Sequence, residues 1–212
     1  MRRTALSLLT VAMAATMLGG PAWAASPAVE RTDSFIAAFK KVKSGDKISA
    51  ADSKANEAAF TALDKFMDWD TLTTRPIEPR AAKFSPAQKK EFATKFKDVV
   101  RRIAYPGSGD FFRDAKLKIG EATEKGALTV VPIDAHVVKD DLRTKIELIW
   151  GKKDGALKLV DVAFDGDSLI KDYQNQFARI IDKEGVSGAI KKVDEKRAEL
   201  DKGVRDKETA AK

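Results

Sequence analysis

The 212-residue chain contains no cysteine and a single histidine, His136. The missing thiols exclude disulfides, thiolate catalysis and cysteine–zinc sites. One imidazole is likewise too few for a histidine-rich metal centre. Because a chain of this size can form an adequate core without cross-links, the lack of disulfides says little about its compartment.

Long apolar stretches are also missing beyond the first twenty residues. The stretch 5–18, ALSLLTVAMAATML, follows Arg2 and Arg3 and precedes Ala22-Trp23-Ala24, a small-x-small cleavage pattern. It is shorter than the roughly 20 apolar residues that span a bilayer. A membrane anchor is the competing interpretation, but the pattern favours a cleavable signal peptide over residues 1–24 and therefore export to the periplasm.

No block of five like charges occurs, although basic residues outnumber acidic ones by 39 to 32. Arg2 and Arg3 are the only charges of the leader, so its removal lowers the formal net charge from +7 to +5. The simplest interpretation is a solvated mixed-sign surface, with weak attraction to an anionic membrane or an acidic partner as the alternative. Basic and aromatic residues are not interleaved on one strand, so nucleic-acid binding is not favoured.

Helical periodicity begins soon after the leader. Apolar residues three or four apart predict one helix around 29–43 and a second over 51–67. The next segment, 68–84, contains Pro76 and Pro79 and is expected to be an irregular connection.

A third helix is indicated by its first residues. Ser85 is suited to the N-cap, Pro86 to the first helical position, and Gln88 completes a capping box. The helix is expected to end at Tyr105-Pro106-Gly107, since proline and glycine interrupt helices.

After residue 110 the apolar period changes from 3.6 to two, which predicts strands. Four segments alternate in this way: AKLKIGEA (115–122), ALTVVPIDAHVV (127–138), DLRTKIELIWG (141–151) and GALKLVDVAF (155–164). Short polar turns join them, as is typical of an antiparallel meander. Two further helices are predicted over 169–181 and 186–200.

This order of helices, strands and helices predicts an α+β fold. We expect a curved meander of about four strands with helices packed on one face. The domain is expected to span 25–200, and the polar segment 201–212 is expected to be a disordered tail.

The tetrapeptide Gly166-Asp167-Ser168-Leu169 spells GDSL, the signature of a family of serine esterases. In that family the serine lies near the N-terminus and a histidine comes late in the chain, whereas no histidine comes after Ser168 here. A serine needs a base within hydrogen-bond reach to become a nucleophile, and His136 lies upstream on a predicted strand. We therefore expect Asp167 or Ser168 to cap the next helix, and we set the esterase aside.

Other acid–base chemistry is harder to exclude from the sequence. Asp134 with His136, or Asp161 with Tyr173, could serve a small isomerase or dehydratase. Nothing in their spacing singles them out, and the first pair is expected on the strand face opposite the apolar one. We expect no catalytic residues and no enzymatic activity.

Apolar residues of the third helix, the sheet and the fourth helix are expected to meet between the layers. A packed core and a ligand cavity are both consistent with this pattern. If the space is a cavity, its predicted lining is Phe92, Phe96, Val99, Val100, Tyr105, Val131, Ile133, Val137, Ile146, Leu148, Trp150, Leu169, Tyr173 and Phe177.

Three motifs occur in a characteristic order: Ser85-Pro86-Ala87-Gln88, then Gly166-Asp167-Ser168 before an aromatic helix, then Gly185-Val186-Ser187-Gly188-Ala189-Ile190. Over roughly 55–195 their order and spacing resemble the MlaC-type family. Its members are periplasmic phospholipid-binding components of ABC-type lipid transport systems, also called toluene-tolerance proteins.

The resemblance implies a nuclear-transport-factor-like fold whose apolar cavity takes the acyl chains of a phospholipid cargo and leaves the headgroup at the surface. It also implies a monomeric carrier between an outer-membrane lipoprotein/porin-type complex and an inner-membrane ABC lipid transporter complex, with no cofactor besides its cargo. The alternatives are a carrier of another lipid such as a hopanoid, a small acid/base enzyme on the same fold, and a structural envelope protein.

Two features depart from the family pattern. RPIEPRAAK, residues 75–83, stands where the family often has Leu-Gly and an aromatic residue. Asp167 replaces an apolar residue between glycine and serine. Both departures leave the identity of the lipid open.

Overall fold

The computed structural model describes residues 26–44 and 49–210, with the side chains of Ala50 and of residues 204–210 excepted. The predicted signal peptide, residues 1–24, lies outside the described residues and stays a prediction.

The helices begin where short polar side chains can accept hydrogen bonds from free backbone N–H groups. Ser26 accepts from Val29, and Ser49 accepts from Asp52. The longer helices are α1 (Pro27–Phe39), α2 (Ala50–Asp64), α3 (Trp69–Thr74), a 3-10 helix (Arg75–Lys83), α4 (Pro86–Asp114) and α5 (Leu169–Ala210), and a single 3-10 turn, Val138–Asp140, follows β3. In α4 the capping box of Ser85 and Gln88 is present as predicted.

The predicted end of α4 at Tyr105-Pro106-Gly107 is wrong, because the helix continues through Pro106 to Asp114. An internal proline costs a helix about 3 kcal/mol in local terms. Here Tyr105 and Phe112 are buried on both sides of it, so tertiary packing outweighs the local cost. Gly109 permits the close approach to α1, since a Cβ there would lie 3.1 Å from the Phe39 carbonyl oxygen.

The segment 68–84 is also more regular than predicted. Asp68 accepts a hydrogen bond from the Thr71 N–H and thereby caps α3. Pro76 lies at the start of the 3-10 helix, where its missing N–H leaves no bond unmade. The expected irregular connection is therefore two short helices in succession.

The sheet has the predicted antiparallel meander at its centre. Its strands are β1 (Ala115–Ile119), β2 (Thr123–Lys125), β3 (Leu128–Val137), β4 (Leu142–Lys153), β5 (Ala156–Phe164) and β6 (Asp167–Ser168). The order is β1-β3-β4-β5-β6, with the short β2 paired to β3. The sheet is open and curved, and the α+β class is confirmed.

The last two predicted helices follow one another within α5 and are separated by the non-helical backbone of Gly185. This residue has φ 72°, a conformation that favours glycine because it has no Cβ. Beyond Gly185, α5 extends to Ala210 and so runs into the segment 201–212 for which the sequence predicts a disordered tail.

Most of the buried apolar residues fall into two separate clusters. The first, which we call the sheet core, lies between the concave face of the sheet and α1, α2 and α4. The second, which we call the helical core, lies among the 3-10 helix, the N-terminal half of α4, and α5. One long helix, α4, contributes to both.

Candidate functional site

The concave face of the sheet is an almost unbroken apolar surface. Alternation along each strand places one set of side chains inward, and the register aligns them across strands, with Val131 opposite Leu148 and Ile133 opposite Ile146. These four side chains are at most 2% exposed. The pleat thus produces a continuous hydrocarbon wall.

Helix α1 covers this wall with aromatic rings. The ring of Phe35 lies 5.7 Å from that of Trp150, edge to face, and the ring of Phe39 lies 5.6 Å from that of Tyr105. Such geometry adds to the free energy gained by burial. The Trp150 Nε1–H donates to Thr32 Oγ1 at 3.1 Å, so the one polar atom of the indole is satisfied.

Helix α2 is attached to the same core by few side chains. Among its residues whose burial is described, only Asn56 and Leu63 are buried. Asn56 accepts from the Lys43 N–H at 2.7 Å and donates to the Lys43 carbonyl at 2.8 Å. Phe60 adds a ring contact with Tyr105 at 5.1 Å. Of the helices that cover the sheet, α2 therefore has the least buried surface to lose on moving.

The fourteen predicted lining residues do not come together in one place. Six belong to the sheet core: Tyr105, Val131, Ile133, Ile146, Leu148 and Trp150. Six belong to or pack against the helical core: Phe92, Phe96, Val99, Val100, Tyr173 and Phe177. The remaining two lie outside both clusters, Val137 being buried and Leu169 being 37% exposed.

The division follows from the length of α4. Its 29 residues span about 44 Å at 1.5 Å per residue. Phe92 and Tyr105 are thus on the order of 20 Å apart along the helix axis. Thirteen residues at 100° per residue also leave the two side chains about 140° apart around the axis, so they lie on different faces of α4 and have different neighbours.

The helical core is closely packed by aromatic rings. Phe92 and Phe177 are 4.9 Å apart, and Phe96 and Tyr173 are 5.0 Å apart, both pairs edge to face. Burial raises the pKa of the Tyr173 hydroxyl. This cluster fixes α5 against α4 and serves as the structural core of that half of the chain.

Residues that the sequence-based lining omits are prominent in the sheet core. They are Phe35, Ile36, Phe39, Leu63 and Leu159, each at most 5% exposed. The apolar face of α1 is visible in the sequence, because its residues recur three and four apart. Periodicity does not say which surface that face will cover.

A polar cluster lies directly against the sheet core, where α2, α3 and α4 meet; we call it the rim cluster. It consists of Asp64, Trp69, Lys97, Arg101 and Tyr105. The Tyr105 hydroxyl donates to Asp64 Oδ1 at 2.8 Å, and Lys97 Nζ lies 3.6 Å from Asp64 Oδ2. Burial, with the hydrogen bond to Asp64, raises the pKa of Tyr105 far above its ordinary value, so this hydroxyl stays protonated.

The outer face of the sheet carries the charged residues of the same strands. A groove of about 570 Å³ is lined there by Lys116, Leu117, Lys118, Asp134, Ala135, His136, Arg143, Thr144, Lys145 and Asp165. His136 Nε2 lies 3.0 Å from Asp141 Oδ1. Asp134 is exposed and lies in the same groove. This candidate acid–base pair is therefore on the face away from the apolar wall, as predicted.

The second candidate acid–base pair is not a pair in the structure. Asp161 accepts from the Ser168 hydroxyl at 2.5 Å and from the N–H groups of Val162 and Ile170 at 2.8 and 3.1 Å. Tyr173 packs in the helical core. Asp161 therefore joins β5 to the start of α5.

Ser168 caps α5, as predicted. Its Oγ accepts from the Lys171 N–H at 3.1 Å while donating to Asp161. The single imidazole of the chain contacts Asp141 instead. The GDSL sequence thus has a structural explanation in the strand-to-helix junction.

The described part of the chain, 26–44 and 49–210, offers neither a metal site nor a membrane span. In these residues no group of three histidine, aspartate or glutamate side chains could hold a metal ion. Nor does any helix within those bounds have the length and apolarity to cross a membrane.

Comparison with known proteins identifies one matching family and a solved structure with a similar fold. A family model described as "MlaC protein" matches residues 32–195. A phospholipid-binding protein from Ralstonia solanacearum, solved in complex with a phospholipid, has a similar structure with a TM-score of 0.62 and 19% sequence identity. The match covers 82% of this chain and 96% of that one. A search of curated proteins found no match.

Proposed function

Since the chain belongs to the MlaC family, we propose that it binds a phospholipid and holds the acyl chains against the concave face of the sheet. The observation that carries this proposal is the apolar wall of β3 and β4 under the aromatic face of α1. The phospholipid held by the structurally similar Ralstonia protein supports the choice of cargo.

The energetics favour such a site for acyl chains. Each methylene group removed from water contributes about 0.8 kcal/mol, so a chain of ordinary length gains on the order of 10 kcal/mol from complete burial. The wall offers hydrocarbon contact without polar interruption, since the indole N–H of Trp150 is already bonded to Thr32.

Loading requires the helices to separate from the sheet, because the sheet core is filled by its own side chains. Leu63, Val131 and Trp150 are 0% exposed. We expect α2 to move first, since Asn56 and Leu63 are its only buried side chains among those described. Its movement would uncover the part of the sheet core that Phe60 and Leu63 contact, and the acyl chains would enter there and replace contacts with α2.

We further propose that the protein is a periplasmic carrier, secreted by cleavage of residues 1–24. It would exchange lipid with an inner-membrane ABC transporter complex and an outer-membrane lipoprotein/porin-type complex. Membership in the MlaC family and the leader pattern support this. Such a carrier would perform no chemistry on its cargo, and the bonding of Asp161 to Ser168 and to two backbone N–H groups supports a structural role for that carboxylate.

The test is to purify the protein from cells, record native mass spectra and extract the bound lipid. We expect about one phospholipid per chain, and uptake of labelled phospholipid from vesicles by the stripped protein. A chain that carries no lipid after purification and takes none from vesicles would contradict the proposal. The variant Asp134→Asn tests the alternative of an acid–base enzyme. If the protein is a carrier, this variant should retain as much lipid as the wild type.

A further inference from the structure

We propose that the rim cluster binds the phosphate group of the cargo, through Lys97, Arg101 and the indole N–H of Trp69. This rests on the proposed function and deepens it, since it assigns the headgroup end of the lipid to named side chains. The ligand chemistry is a phosphate ester beside an apolar wall.

The rim cluster has more hydrogen-bond donors than acceptors. Lys97 and Arg101 both face one carboxylate, that of Asp64, and Tyr105 donates to it as well. Within the described residues neither cation has another ion-pair partner. Two positive charges against one negative charge leave an uncompensated charge of about +1, which favours an anion.

Two of these donors are buried without an acceptor. They are Trp69 Nε1 and Arg101 Nε. Arg101 Nε lies 3.1 Å from Asp64 Oδ1, but its N–H is not aimed at that oxygen, so the contact is an ion pair without a hydrogen bond. A buried N–H that lacks an acceptor is costly, and a phosphate oxygen would supply one.

A neighbouring cation on the same helix is fully compensated. Arg102 lies 2.7 Å from Asp201 and 3.6 Å from Asp98. Its side chain is 22% exposed, and that of Arg101 is 23% exposed. The two arginines thus differ in their carboxylate partners and not in their access to solvent.

The position of the cluster suits an amphiphile whose chains lie in the sheet core. Tyr105 belongs to that core, and Phe60 and Trp69 pack against it. Lys97 Nζ lies 4.9 Å from the centre of the Trp69 ring, and the side chain of Lys97 is 36% exposed. A phosphate placed there would contact cations on one side while its acyl chains continue into hydrocarbon.

The experiment compares retention of two lipids with identical acyl chains, phosphatidylglycerol and diacylglycerol, offered in mixed vesicles. We expect Arg101→Gln to lower retention of phosphatidylglycerol about tenfold, as loss of a charge-assisted hydrogen bond predicts, and to leave diacylglycerol unchanged. The matched control, Arg102→Gln, should retain the preference of the wild type. Equal retention of phosphatidylglycerol by both variants would overturn the inference and leave the proposed function intact, whereas a wild type that retains neither lipid would overturn both.

A second variant is expected to increase the retention of phosphatidylglycerol. Asp64→Asn keeps an oxygen that accepts from Tyr105 and removes the competing charge, so phosphatidylglycerol should be retained severalfold more tightly. Equal or weaker retention would count against the site. Inorganic phosphate distinguishes a free phosphate ion from a lipid headgroup as the ligand. It is added to lipid-free protein, and its binding is followed by tryptophan emission. If the free ion binds but Arg101→Gln does not change lipid retention, the assignment of the site to the headgroup is overturned.

Discussion

The indole Nε1–H of Trp150 donates to Thr32 Oγ1 at 3.1 Å across 118 positions of sequence, and both side chains are 0% exposed. This bond joins the C-terminal part of β4 to α1. It fixes the aromatic face of α1 over the apolar wall.

We predict that Thr32→Val destabilises the protein by about 1–3 kcal/mol, because it leaves a buried N–H without an acceptor in a site of unchanged volume. Urea unfolding measures the difference. Thr32→Ser, which retains the hydroxyl, is the control and should lose clearly less. If valine proves no worse than serine, the bond contributes little to stability.

The second prediction concerns the attachment of α2. Replacing Asn56 by alanine removes both hydrogen bonds to the Lys43 backbone, so α2 should open more often. Hydrogen exchange of the α2 amides is expected to quicken about tenfold for a loss of roughly 1.4 kcal/mol, and vesicle lipid should be taken up faster.

The control for this variant is Glu57→Ala, on the exposed side of the same helix. It should alter neither exchange nor uptake. Faster exchange of α2 without faster uptake would show that α2 is not the element that admits lipid.

Local signals in the sequence predict the secondary-structure elements of this fold better than they predict which elements pack against each other. The capping box at Ser85 and the alternation of β3 and β4 depend on neighbouring residues alone, and both are present as predicted. The end of α4 is not local: burial of Tyr105 and Phe112 carries the helix through Pro106. The presence of Pro106 indicates a local free-energy cost to the helix, but it does not show that tertiary packing will offset that cost.

The same dependence on tertiary packing explains why the predicted lining residues fall into two different cores. Phe96 and Tyr105 are both aromatic residues of α4, but nine residues at 100° per residue place them on opposite faces of the helix. Periodicity separates the two side chains without identifying the surface that each one contacts. Their assignment to different cores depends on where α5 and the sheet meet that helix. Likewise the spacing of Phe35 and Phe39 identifies an apolar face, but only the tertiary arrangement places it over the sheet.

The third prediction separates the two cores by cross-linking. A phospholipid with a photoreactive group in its acyl chain should label α1, β3 and β4, near Phe35, Val131 and Trp150. It should not label α5 near Phe177, because that ring is enclosed by Phe92 and Phe96 at 4.9 and 5.4 Å. Peptide mass spectrometry locates the adducts, and lipid added after unfolding is the control. Adducts concentrated at α5 would place the chains in the helical core instead.

The fourth prediction is a pH dependence from Asp68, whose carboxylate caps α3 and lies 2.7 Å from Lys153 Nζ. Burial alone would raise the pKa of Asp68, but hydrogen bonds from Lys153 and Thr71 outweigh it and hold the pKa below its ordinary value. The native state therefore binds this proton less readily than the unfolded state. Its stabilising contribution is complete above the unfolded pKa of about 3.9 and is lost as pH falls through the lower native value.

Unfolding by urea between pH 2 and 6 measures this effect. Asp68→Asn should flatten the loss of stability in acid, since asparagine still caps the helix but does not titrate. Asp70→Asn is the control, because Asp70 lies farther from Lys153, at 3.6 Å, and its side chain is 78% exposed. Parallel acid curves for wild type and Asp68→Asn would contradict the linkage.

The last prediction concerns Ser168 and distinguishes a cap from a nucleophile. Ser168→Ala removes the acceptor for the Lys171 N–H and should cost about 1 kcal/mol of stability, with lipid retention unchanged. Asp161→Ala should cost more, because it also leaves the N–H groups of Val162 and Ile170 without their acceptor. Ester hydrolysis by the wild type that Ser168→Ala abolishes would contradict this interpretation. The graded loss, with Asp161 exceeding Ser168, reflects the number of bonds each side chain makes at the junction of β5 and α5.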